Sequence, residues 1–485
     1  MRTPGKLTVQ DFISSPKVQA NLKLLKETFD PQRKPFQVSD VLDEDGHQYV
    51  NLVQKGGGVL GVALVGYTYI LEQMGIRFLR MAGTSAGAIN TAMLTIIGKK
   101  QEEKSTRVLE AITNLNFFDL VDGHPFARWL IKKFITHKSY FRRVRNVIIT
   151  VVAVLLLLLV GDFVVLYLLQ AHPGLQALSN SLIVIMVIAL ILVAEVHLYA
   201  FNLLRKFKNS GYGINPGRFF YDWIEKQMRD NGIANTNDLR QKAGQEIPGL
   251  HLRNPRHPQG LEGLTGDVTF ISSELVTQNK IEFPAMASLF RNDKSDDIHP
   301  AGFVRASMSI PVFFESFFIR DIPCEDPEIK KQWLSVFGET DPPSVARFVD
   351  GGILSNFPIN IFYNPRVLVP RLPSFGIDLD DATPEDKAKQ SANWTMTGYF
   401  GRIFNTIRNY YDKDFQLKNR VYAQGVGSIP LSEFNWLNFF VSDADKLAMF
   451  ERGAEAATQF LLKFNWQAYK NDRAFMQSEI EGNEG

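Results

Sequence analysis

Hydrophobic residues are concentrated in two stretches near the middle of the chain, residues 147–169 and 182–201. Each stretch has about 20 apolar residues, which as an α-helix span roughly 30 Å, the thickness of a bilayer's hydrocarbon core. A short connector without formal charge joins them, so the pattern predicts a two-helix transmembrane hairpin over residues 141–208. A buried pair of core helices is the alternative, but core helices of this length usually have a polar face.

Both ends of the hairpin are basic. Arg205, Lys206 and Lys208 follow the second stretch, and no acidic residue comes before Asp222. The segment before the first stretch lacks acidic residues and carries a row of cations: Arg128, Lys132, Lys133, Lys138, Arg142, Arg143 and Arg145. By the positive-inside rule, both flanks are expected to be cytoplasmic. We therefore predict a multi-pass membrane protein whose remaining domain lies on the cytoplasmic side, at the inner membrane if the source is bacterial.

Three polar residues, Asp162, Glu195 and His197, interrupt the apolar stretches. Charged groups inside a membrane can mark an ion path. At about 1.5 Å per residue, however, Asp162 lies roughly 22 Å and Glu195 roughly 9 Å from the cytoplasmic ends, so the two are not expected to pair within one hairpin. Two helices are also few for a transporter. The hairpin is therefore predicted to be an integral membrane anchor and a surface through which a homo-oligomer could form.

Outside the hairpin, strand patterns alternate with helix patterns. Residues 49–54 predict a strand that leads into consecutive glycines. Apolar residues at helical spacing follow, and Gly75 ends this helix. Residues 78–82 predict a second strand, followed by a helix that ends near Gly98. Two successive strand–turn–helix units are typical of a parallel α/β layer.

The α/β pattern resumes after the hairpin, which therefore interrupts one domain and does not separate two. A helix is predicted at 219–231, strands at 267–275, 280–283, 312–319, 346–349 and 375–379, and a closing amphipathic helix at 444–463. We assign residues 1–45 to a helical lead-in, 46–140 and 209–380 to the two parts of the α/β domain, 141–208 to the hairpin, and 381–485 to a helical C-terminal extension packed on that domain.

Composition and charge mainly exclude classes of protein. The 485 residues include 53 basic and 51 acidic ones, and this net charge of +2 gives no global attraction for nucleic acid, so no nucleic-acid partner is predicted. Cys324 is the single cysteine, which excludes an internal disulfide, a cysteine zinc site and a CxxC redox pair. The N-terminus lacks the apolar region of a signal peptide.

The pentapeptide GTSAG, centred on Ser85, fits the G-x-S-x-G nucleophile elbow. Its other members, Gly83, Thr84, Ala86 and Gly87, are small, which allows a sharp turn that holds the serine above the sheet edge. The following helix would direct its N-terminal amides at developing negative charge. Although the pentapeptide often occurs by chance, its place between an apolar strand and an amphipathic helix favours a nucleophile.

Gly56, Gly57, Gly58 and Gly61 fit G-x-G-x-x-G between a strand and a helix, so a dinucleotide site is an alternative. Such a site expects an acidic residue about 20 positions later, at the end of the second strand. The second strand here ends in the serine elbow instead. Bare backbone N–H groups can also approach an anion closely, and beside Ser85 this anion would be the oxyanion of acyl transfer. The glycines are therefore predicted to form an oxyanion hole.

A serine nucleophile needs a base, and histidine is missing from the expected place. All eight histidines precede residue 300, whereas in α/β-hydrolases the histidine follows both the serine and the acid. Asp350 is the candidate, because it ends an apolar strand and precedes Gly351 and Gly352. Ligands of α/β folds bind at the carboxyl edge of the sheet, where we expect this residue. An ordinary Asp-Gly-Gly turn is the alternative.

Three blocks in this order, GGGVLG at 56–61, GTSAG at 83–87 and DGG at 350–352, resemble the patatin-like phospholipases. The resemblance extends to ASMSIP at 306–311 and to the Asn-Phe-Pro that begins at Asn356. It covers roughly residues 49–380, with the hairpin as an insertion.

This resemblance implies a three-layer α/β/α domain with a central, mostly parallel sheet. It also implies a Ser85–Asp350 dyad without histidine and an oxyanion hole from the amides around Gly57 and Gly58. The implied activity is calcium-independent hydrolysis of acyl esters in membrane phospholipids, with no cofactor or metal. Leu60 departs from the pattern, because many members carry Arg or Lys there, and this leaves head-group preference open. A neutral-lipid lipase, an acyltransferase and a non-catalytic membrane scaffold are the alternatives.

Overall fold

The computed structural model describes residues 7–125, 140–168, 176–209, 211–291, 298–364, 369–380 and 412–483, apart from 31 and 33, together with residues 128, 129, 174, 367, 399, 403, 406 and 410. The strands are β1 Val41–Leu42, β2 Gln48–Gln54, β3 Ile76–Thr84, β4 Gly213–Asn215, β5 His251–Leu252, β6 Asp267–Glu274, β7 Lys280–Phe283, β8 Val312–Phe314, β9 Phe317–Ile319, β10 Ala346–Asp350, β11 Ser374–Asp380 and β12 Val426–Pro430. The helices are α1 Val9–Ile13, α2 Pro16–Thr28, α3 Gly61–Gln73, α4 Ala86–Ile96, α5 Ser105–Asn114, α6 Tyr140–Leu168, α7 Gln176–Asn209, α8 Arg218–Asp230, α9 Thr236–Ala243, α10 Pro300–Ser307, α11 Pro327–Phe337, α12 Arg420–Gln424, α13 Asp443–Lys463 and α14 Trp466–Asn483.

One 10-stranded sheet forms the centre of the fold, and its main path runs β12-β11-β2-β3-β6-β10-β9. The pairs from β12 to β6 are all parallel. The pairs that β10 makes with β6 and with β9 are antiparallel. The short strands β1, β5 and β7 add further antiparallel pairs. The predicted mixed α/β fold with a central, mostly parallel sheet is therefore confirmed.

Helices cover both faces of this sheet. Neighbouring residues of a strand show this, since successive side chains point to opposite sides. Phe375 of β11 lies beside Leu52 of β2, and its ring contacts the ring of Phe460 on α13. The next residue of β2, Val53, belongs to a buried cluster on the other side, which includes Phe357, Tyr422 of α12 and Trp466 of α14. The sheet thus lies between two layers.

The first strand–helix units form as their local sequence predicts. All seven residues of β2 are buried, which fits a central parallel strand covered on both faces. Gly75, after α3, has a φ of +76°, and Gly98, after α4, has a φ of +58°. Both values lie in the left-handed region that glycine adopts most readily, so each glycine ends its helix where the sequence indicates.

Two predicted elements differ in the structure. The single strand expected at 312–319 is split: β8 pairs with β4 in a separate two-stranded sheet, whereas β9 joins the main sheet. The break falls at Glu315-Ser316, the two polar residues between the apolar ones, and tertiary contacts decide which partner each part pairs with. The helix expected to close the chain, now α13, is followed by α14, and the C-terminal segment expected to be helical also contributes edge strand β12.

The chain divides into two compact units. The first comprises Met1–Asp122, Gly217–Pro311 and Ser316–Gly485 and contains the main sheet. The second comprises Gly123–Pro216 and Val312–Glu315 and contains α6, α7 and the two-stranded sheet.

The second unit contains two helices, Ile149–Leu168 and Gln176–Lys208, that are long and apolar enough to cross a membrane. Their side chains are largely uncovered, since only 6% and 0% of the apolar windows are buried. Leu157 is 71% exposed, whereas the polar Asp162 is 5% exposed. Most apolar side chains of these two helices are thus exposed in the structure, whereas those of a core helix are buried.

Candidate active site

Ser85 lies at the sharp turn between β3 and α4. Its φ of 53° and ψ of −119° are unfavourable for a residue other than glycine, at a cost on the order of 1–3 kcal/mol. Strain of this kind is characteristic of a nucleophile elbow. The side chain is 5% exposed, and α4 begins at the next residue, Ala86. The positive end of the helix therefore lies beside the serine.

The glycines of the elbow allow three backbone segments to touch. A Cβ added to Gly83 would lie 2.4 Å from the carbonyl carbon and oxygen of Gly87. A Cβ added to Gly87 would lie 2.2 Å from the carbonyl oxygen of Gln54, the last residue of β2. Neither site has room for a side chain, because backbone atoms cannot move aside as a flexible side chain can. The small residues are thus required by packing as well as by the turn.

The glycine loop passes directly beside the nucleophile. A Cβ added to Gly56 would lie 3.0 Å from Cβ of Ser85. Further along, a Cβ added to Gly61 would lie 3.2 Å from Cβ of Ala86, so the start of α3 packs against the start of α4. Gly58 and Ser85 are 27 positions apart in the sequence. The loop and the elbow nevertheless form one continuous surface.

Two amides of this loop have no acceptor in the described part of the chain, those of Gly57 and Gly58. The amides on either side, from Gly56 and Val59, donate hydrogen bonds to carbonyl oxygens at 3.0 and 3.1 Å. Gly58 has a φ of +55°, which turns the backbone at this point. The loop thus presents a pair of donors next to the serine, as an oxyanion hole requires.

Asp350 ends β10, and its side chain is 5% exposed. Its Oδ1 accepts a hydrogen bond from the amide of Gly352 at 2.7 Å. In the sheet, Asp350 pairs with Ser272 on one side of β6, and Thr84 pairs with Ile271 on the other. The acid and the residue before the nucleophile therefore stand at the same level, two strands or about 10 Å apart.

The strand direction corrects one part of the argument made from the sequence. β10 is antiparallel to β6, but Asp350 still stands level with the carboxyl end of β3, because it pairs with Ser272, next to the partner of Thr84. It reaches the level of Ser85 from the opposite direction, because β10 starts beyond the end of β6 and runs back along it. A Cβ added to Gly351 would lie 2.1 Å from the carbonyl oxygen of Ile271, so glycine is needed for this approach.

One short segment at the end of α10 holds both residues in place. The hydroxyl oxygen of Ser307 accepts a hydrogen bond from the amide of Ser85 at 3.1 Å. Two residues later, the carbonyl oxygen of Ser309 accepts one from the amide of Asp350 at 2.8 Å. Both serines are fully buried. The spacing of the nucleophile and the acid is therefore set by a third element.

The segment after the Asp-Gly-Gly turn connects the acid to the glycine loop. The carbonyl oxygen of Asn356 accepts a hydrogen bond from the amide of Gly56 at 3.0 Å, and its Nδ2 donates to the carbonyl oxygen of Gly56 at 3.3 Å. The carbonyl oxygen of Ser355 accepts one from Oγ1 of Thr84 at 3.0 Å. Asn356, a position included in the sequence resemblance, thus has a structural role beside the site.

A buried carboxyl group, Asp412, holds this connecting segment. Its Oδ1 accepts a hydrogen bond from the hydroxyl of Ser355 at 2.9 Å, and its Oδ2 accepts one from the amide of Phe357 at 2.8 Å. Burial raises the pKa of Asp412 to about 6, although the hydrogen bonds from Phe357 and Ser355 favour the charged form. Asp412 is not among the residues predicted for the site, because no strand, glycine or spacing pattern in the sequence points to it.

The structure brings the three sequence blocks together. Two histidines, His47 and His299, make hydrogen bonds to residues outside these blocks. His47 pairs with Asp43 at 2.9 Å, and Nδ1 of His299 caps α10 through the amide of Ala301 at 3.2 Å. A mixed α/β domain with a strained serine between a strand and a helix, beside bare amides, defines the class of serine acyl hydrolases.

Comparison with known families makes this class specific. A model of the patatin-like phospholipases matches residues 52–363, more than half of the chain. The chain therefore belongs to the patatin-like phospholipase family, whose domain implies lipid acyl hydrolase activity. The matched range includes the glycine loop, the elbow and the Asp-Gly-Gly turn.

The chain is also similar to individual proteins. The uncharacterized protein YqhO of Bacillus subtilis (strain 168) is 25% identical over 419 residues, which are 86% of this chain and 100% of the relative. Among solved structures, VipD from Legionella pneumophila is 16% identical with a TM-score of 0.36, over 91% of this chain and 73% of that one.

Proposed function

We propose that the chain is a membrane-anchored hydrolase of glycerophospholipid acyl esters that uses Ser85 as nucleophile and Asp350 as base. The observation that carries this proposal is the strained serine beside the unengaged amides of Gly57 and Gly58. Such an arrangement has a cost in stability and no evident structural use, whereas acyl transfer needs both parts. The shared support of Ser85 and Asp350 by residues 307–309 adds to it.

In the first half-reaction, Oγ of Ser85 forms a bond to the acyl carbon while its proton passes to the carboxylate of Asp350. The carbonyl electrons move to the oxygen, and the amides of Gly57 and Gly58 donate hydrogen bonds to it. Collapse of this intermediate breaks the ester bond. The departing lysolipid oxygen takes the proton from Asp350, which leaves an acyl-serine and a carboxylate.

In the second half-reaction, water attacks the acyl carbon and gives its proton to Asp350. The oxyanion forms again in the same place and collapses with cleavage of the bond to Ser85. Oγ of Ser85 recovers the proton from Asp350, and the fatty acid is released. The cycle consumes one water and returns both residues to their starting state.

A neutral-lipid ester is the second candidate substrate, and Leu60 favours it. This residue is fully buried at the end of the glycine loop, where it offers no charge to a phosphate. Lys55, the residue before the glycine loop, is engaged: its Nζ is 2.6 Å from Oδ1 of Asp378 and 3.0 Å from the carbonyl oxygen of Leu379. Lys55 is therefore not free to bind a phosphate.

The membrane anchor is the pair α6 and α7. Exposed leucine and valine along both helices would remain in contact with water in the absence of a bilayer, at about 25 cal/mol per Å² of apolar surface. The basic residues Arg205, Lys206 and Lys208 would then stay with the catalytic domain on the cytoplasmic side. The anchor would keep the enzyme at the surface of its substrate.

The catalytic proposal is tested by fatty acid release from mixed phospholipid vesicles and triacylglycerol emulsions in EDTA. We expect release by the parent protein and its loss in Ser85→Ala and in Asp350→Asn. Matched controls are Ser335→Ala and Asp222→Asn, which alter exposed residues on other helices. Equal release by all five proteins would refute the dyad. Release from the emulsion alone would select the neutral-lipid substrate, and transfer to an added alcohol would reveal an acyltransferase.

Membrane anchoring is tested separately by extraction of cell membranes with alkaline carbonate. We expect the parent to stay in the membrane pellet and Leu157→Lys to be partly extracted, because a lysine at the helix centre costs about 2.5–3.5 kcal/mol. Leu157→Ala is the control. Complete extraction of the parent would exclude an integral anchor and leave the catalytic proposal intact.

A further inference from the structure

A cavity of about 330 Å³ lies in the first unit, and neither Ser85 nor Asp350 lines it. Three arginines, Arg80, Arg371 and Arg473, line it, and we call it the arginine cavity. Its volume falls in the range of small-molecule sites, about 300–1,000 Å³. Its lining also includes Asn51 in the middle of β2, so the cavity reaches into the fold from its surface.

Arg473 on α14 is 3% exposed, and one of its two terminal nitrogens has a hydrogen-bond partner. Its Nη2 donates a hydrogen bond to the carbonyl oxygen of Asn364 at 2.8 Å, and its guanidinium carbon lies 4.7 Å from the ring centre of Tyr363. Its Nη1 has no hydrogen-bond partner in the described part of the chain. A buried, charged donor without an acceptor is costly, so this group indicates an acceptor supplied from outside.

Arg80 and Arg371 hold the loop that forms one wall of the cavity. Arg80 donates hydrogen bonds to the carbonyl oxygens of Thr265 and Gly263, and Arg371 donates to those of Gly260 and Glu262. These acceptors are neutral, and the carboxylates of Asp267 and Glu262 act on Arg80 and Arg371 through charge alone, without an ion pair. Burial lowers the pKa of both guanidinium groups, and for Arg371 the charge of Arg80 lowers the pKa further.

No carboxylate among the described residues forms an ion pair with any of these three arginines. The acidic residue in the cavity lining is Glu262, which is exposed. Its charge raises the pKa of Arg371, but burial and the charge of Arg80 lower that pKa more. A purely structural role would explain the bonds of Arg80 and Arg371 to the loop. It would not explain the unengaged Nη1 of Arg473 at the same cavity.

A second buried group in the cavity lining, the side-chain amide of Asn51, needs a hydrogen-bond donor where Arg473 needs an acceptor. Asn51 is 6% exposed, and its Oδ1 has no donor in the described part of the chain. Its Nδ2 lies 3.5 Å from the hydroxyl of Ser374, a long hydrogen bond. The cavity therefore offers cationic donors and one unused acceptor. A ligand that carries both an oxyanion and a hydroxyl group would satisfy both.

We propose that the arginine cavity binds a phosphate monoester of a small polyol, separate from the acyl ester site at Ser85. The phosphate accepts hydrogen bonds from Arg473 and balances the charge of Arg80 and Arg371, and a hydroxyl donates to Asn51. Arginine suits this role because its planar fork binds two phosphate oxygens at once. The ligand is either a soluble phosphomonoester or the head group of a phosphatidic acid.

The test measures binding by calorimetry to the full chain in detergent, in phosphate-free buffer and in a Ser85→Ala background that prevents hydrolysis. The probes are glycerol 3-phosphate, inorganic phosphate, a short-chain phosphatidic acid, and glycerol as the uncharged control. We expect saturable binding of at least one phosphate probe, weakened by added salt. Arg473→Met should lower its affinity by about tenfold or more. Arg452→Met removes the same charge from an exposed ion pair and should leave affinity unchanged.

Binding of glycerol 3-phosphate would assign a soluble ligand, and binding of the phosphatidic acid alone would assign a lipid head group. The proposal is overturned if no phosphate probe binds saturably. It is also overturned if Arg473→Met binds the probes as tightly as the parent and the control Arg452→Met do. Circular dichroism checks the fold of each variant. If Arg473→Met does not fold, Arg371→Gln replaces it, because Arg371 lies nearer the surface and its loss spares the core.

Discussion

The two halves of the candidate site are built in different ways. The nucleophile half, with the glycine loop and Ser85, comes from two successive strand–turn–helix units within residues 48–96. The acid half needs an antiparallel strand that ends at Asp350, the end of α10, and the buried Asp412 far along the chain. The elements of the first half follow one another in sequence, whereas those of the second come from distant segments.

Residues in the two halves are constrained in different ways, by close backbone packing in the first and by hydrogen bonds in the second. In the elbow, backbone packs on backbone, so a Cβ added to Gly83 or Gly87 meets a fixed backbone atom of the same two strand–helix units. In the acid half, hydrogen bonds from three segments position one strand end, so the effect of a substitution is spread over the network. The predictions below test whether the halves act together, and then how each is held.

Removal of both reactive groups gives the largest expected effect. If Ser85 and Asp350 act as one unit, Ser85→Ala, Asp350→Asn and the double variant should each lower kcat by about 10³-fold or more, with no additivity. Steady-state kinetics on the preferred ester measures this. Multiplied losses in the double variant would mean that the two halves contribute independently.

Asp412→Asn tests the acid half through pH. The folded-state pKa is raised to about 6, above the ordinary carboxyl value, so the stability that this group contributes is present at low pH and is lost as pH rises to 6. Above pH 6 the buried charge costs on the order of 3 kcal/mol. We expect the stability difference, parent minus variant, to decrease between pH 4 and 6, as measured by thermal unfolding. A constant difference across this range would show that Asp412 titrates normally.

Gly87→Ala tests the nucleophile half through packing. The new Cβ would lie 2.2 Å from the carbonyl oxygen of Gln54, so we expect destabilisation by about 1–3 kcal/mol and loss of activity. Gly161→Ala is the control, because a Cβ there meets no atom within 4 Å. Chemical unfolding and ester hydrolysis of both variants measure the contrast. Equal stability of the two variants would contradict the backbone contact.

Ser307→Ala tests the element that joins the halves and has the smallest expected effect. It removes the acceptor of the Ser85 amide, which should cost about 1–1.5 kcal/mol, or roughly a tenfold decrease in kcat. KM should change little, since the hydroxyl binds the elbow and not the substrate. Ser335→Ala controls for loss of an exposed hydroxyl. A change confined to KM would assign Ser307 to substrate binding.

The nucleophile half could be predicted almost completely from sequence, and the acid half only in part. The strand at 49–54, Gly75 as a helix end and the elbow all depend on neighbouring residues, so their patterns are visible locally. The direction of β10 and the split of 312–319 depend on which strands pair, and pairing leaves no local pattern. Asp412 acts through contacts with residues more than 50 positions away.

Sequence alone determined the α/β pattern, the two apolar helices, the serine elbow and the Asp-Gly-Gly turn, because each follows from residue type and spacing within a short segment. Tertiary structure decided how β10 meets β6, how Ser307 and Ser309 join the two halves, and which buried groups lack partners, including Nη1 of Arg473. The physical reason is that hydrogen bonds and burial between distant segments depend on how the chain closes on itself, which no local pattern contains.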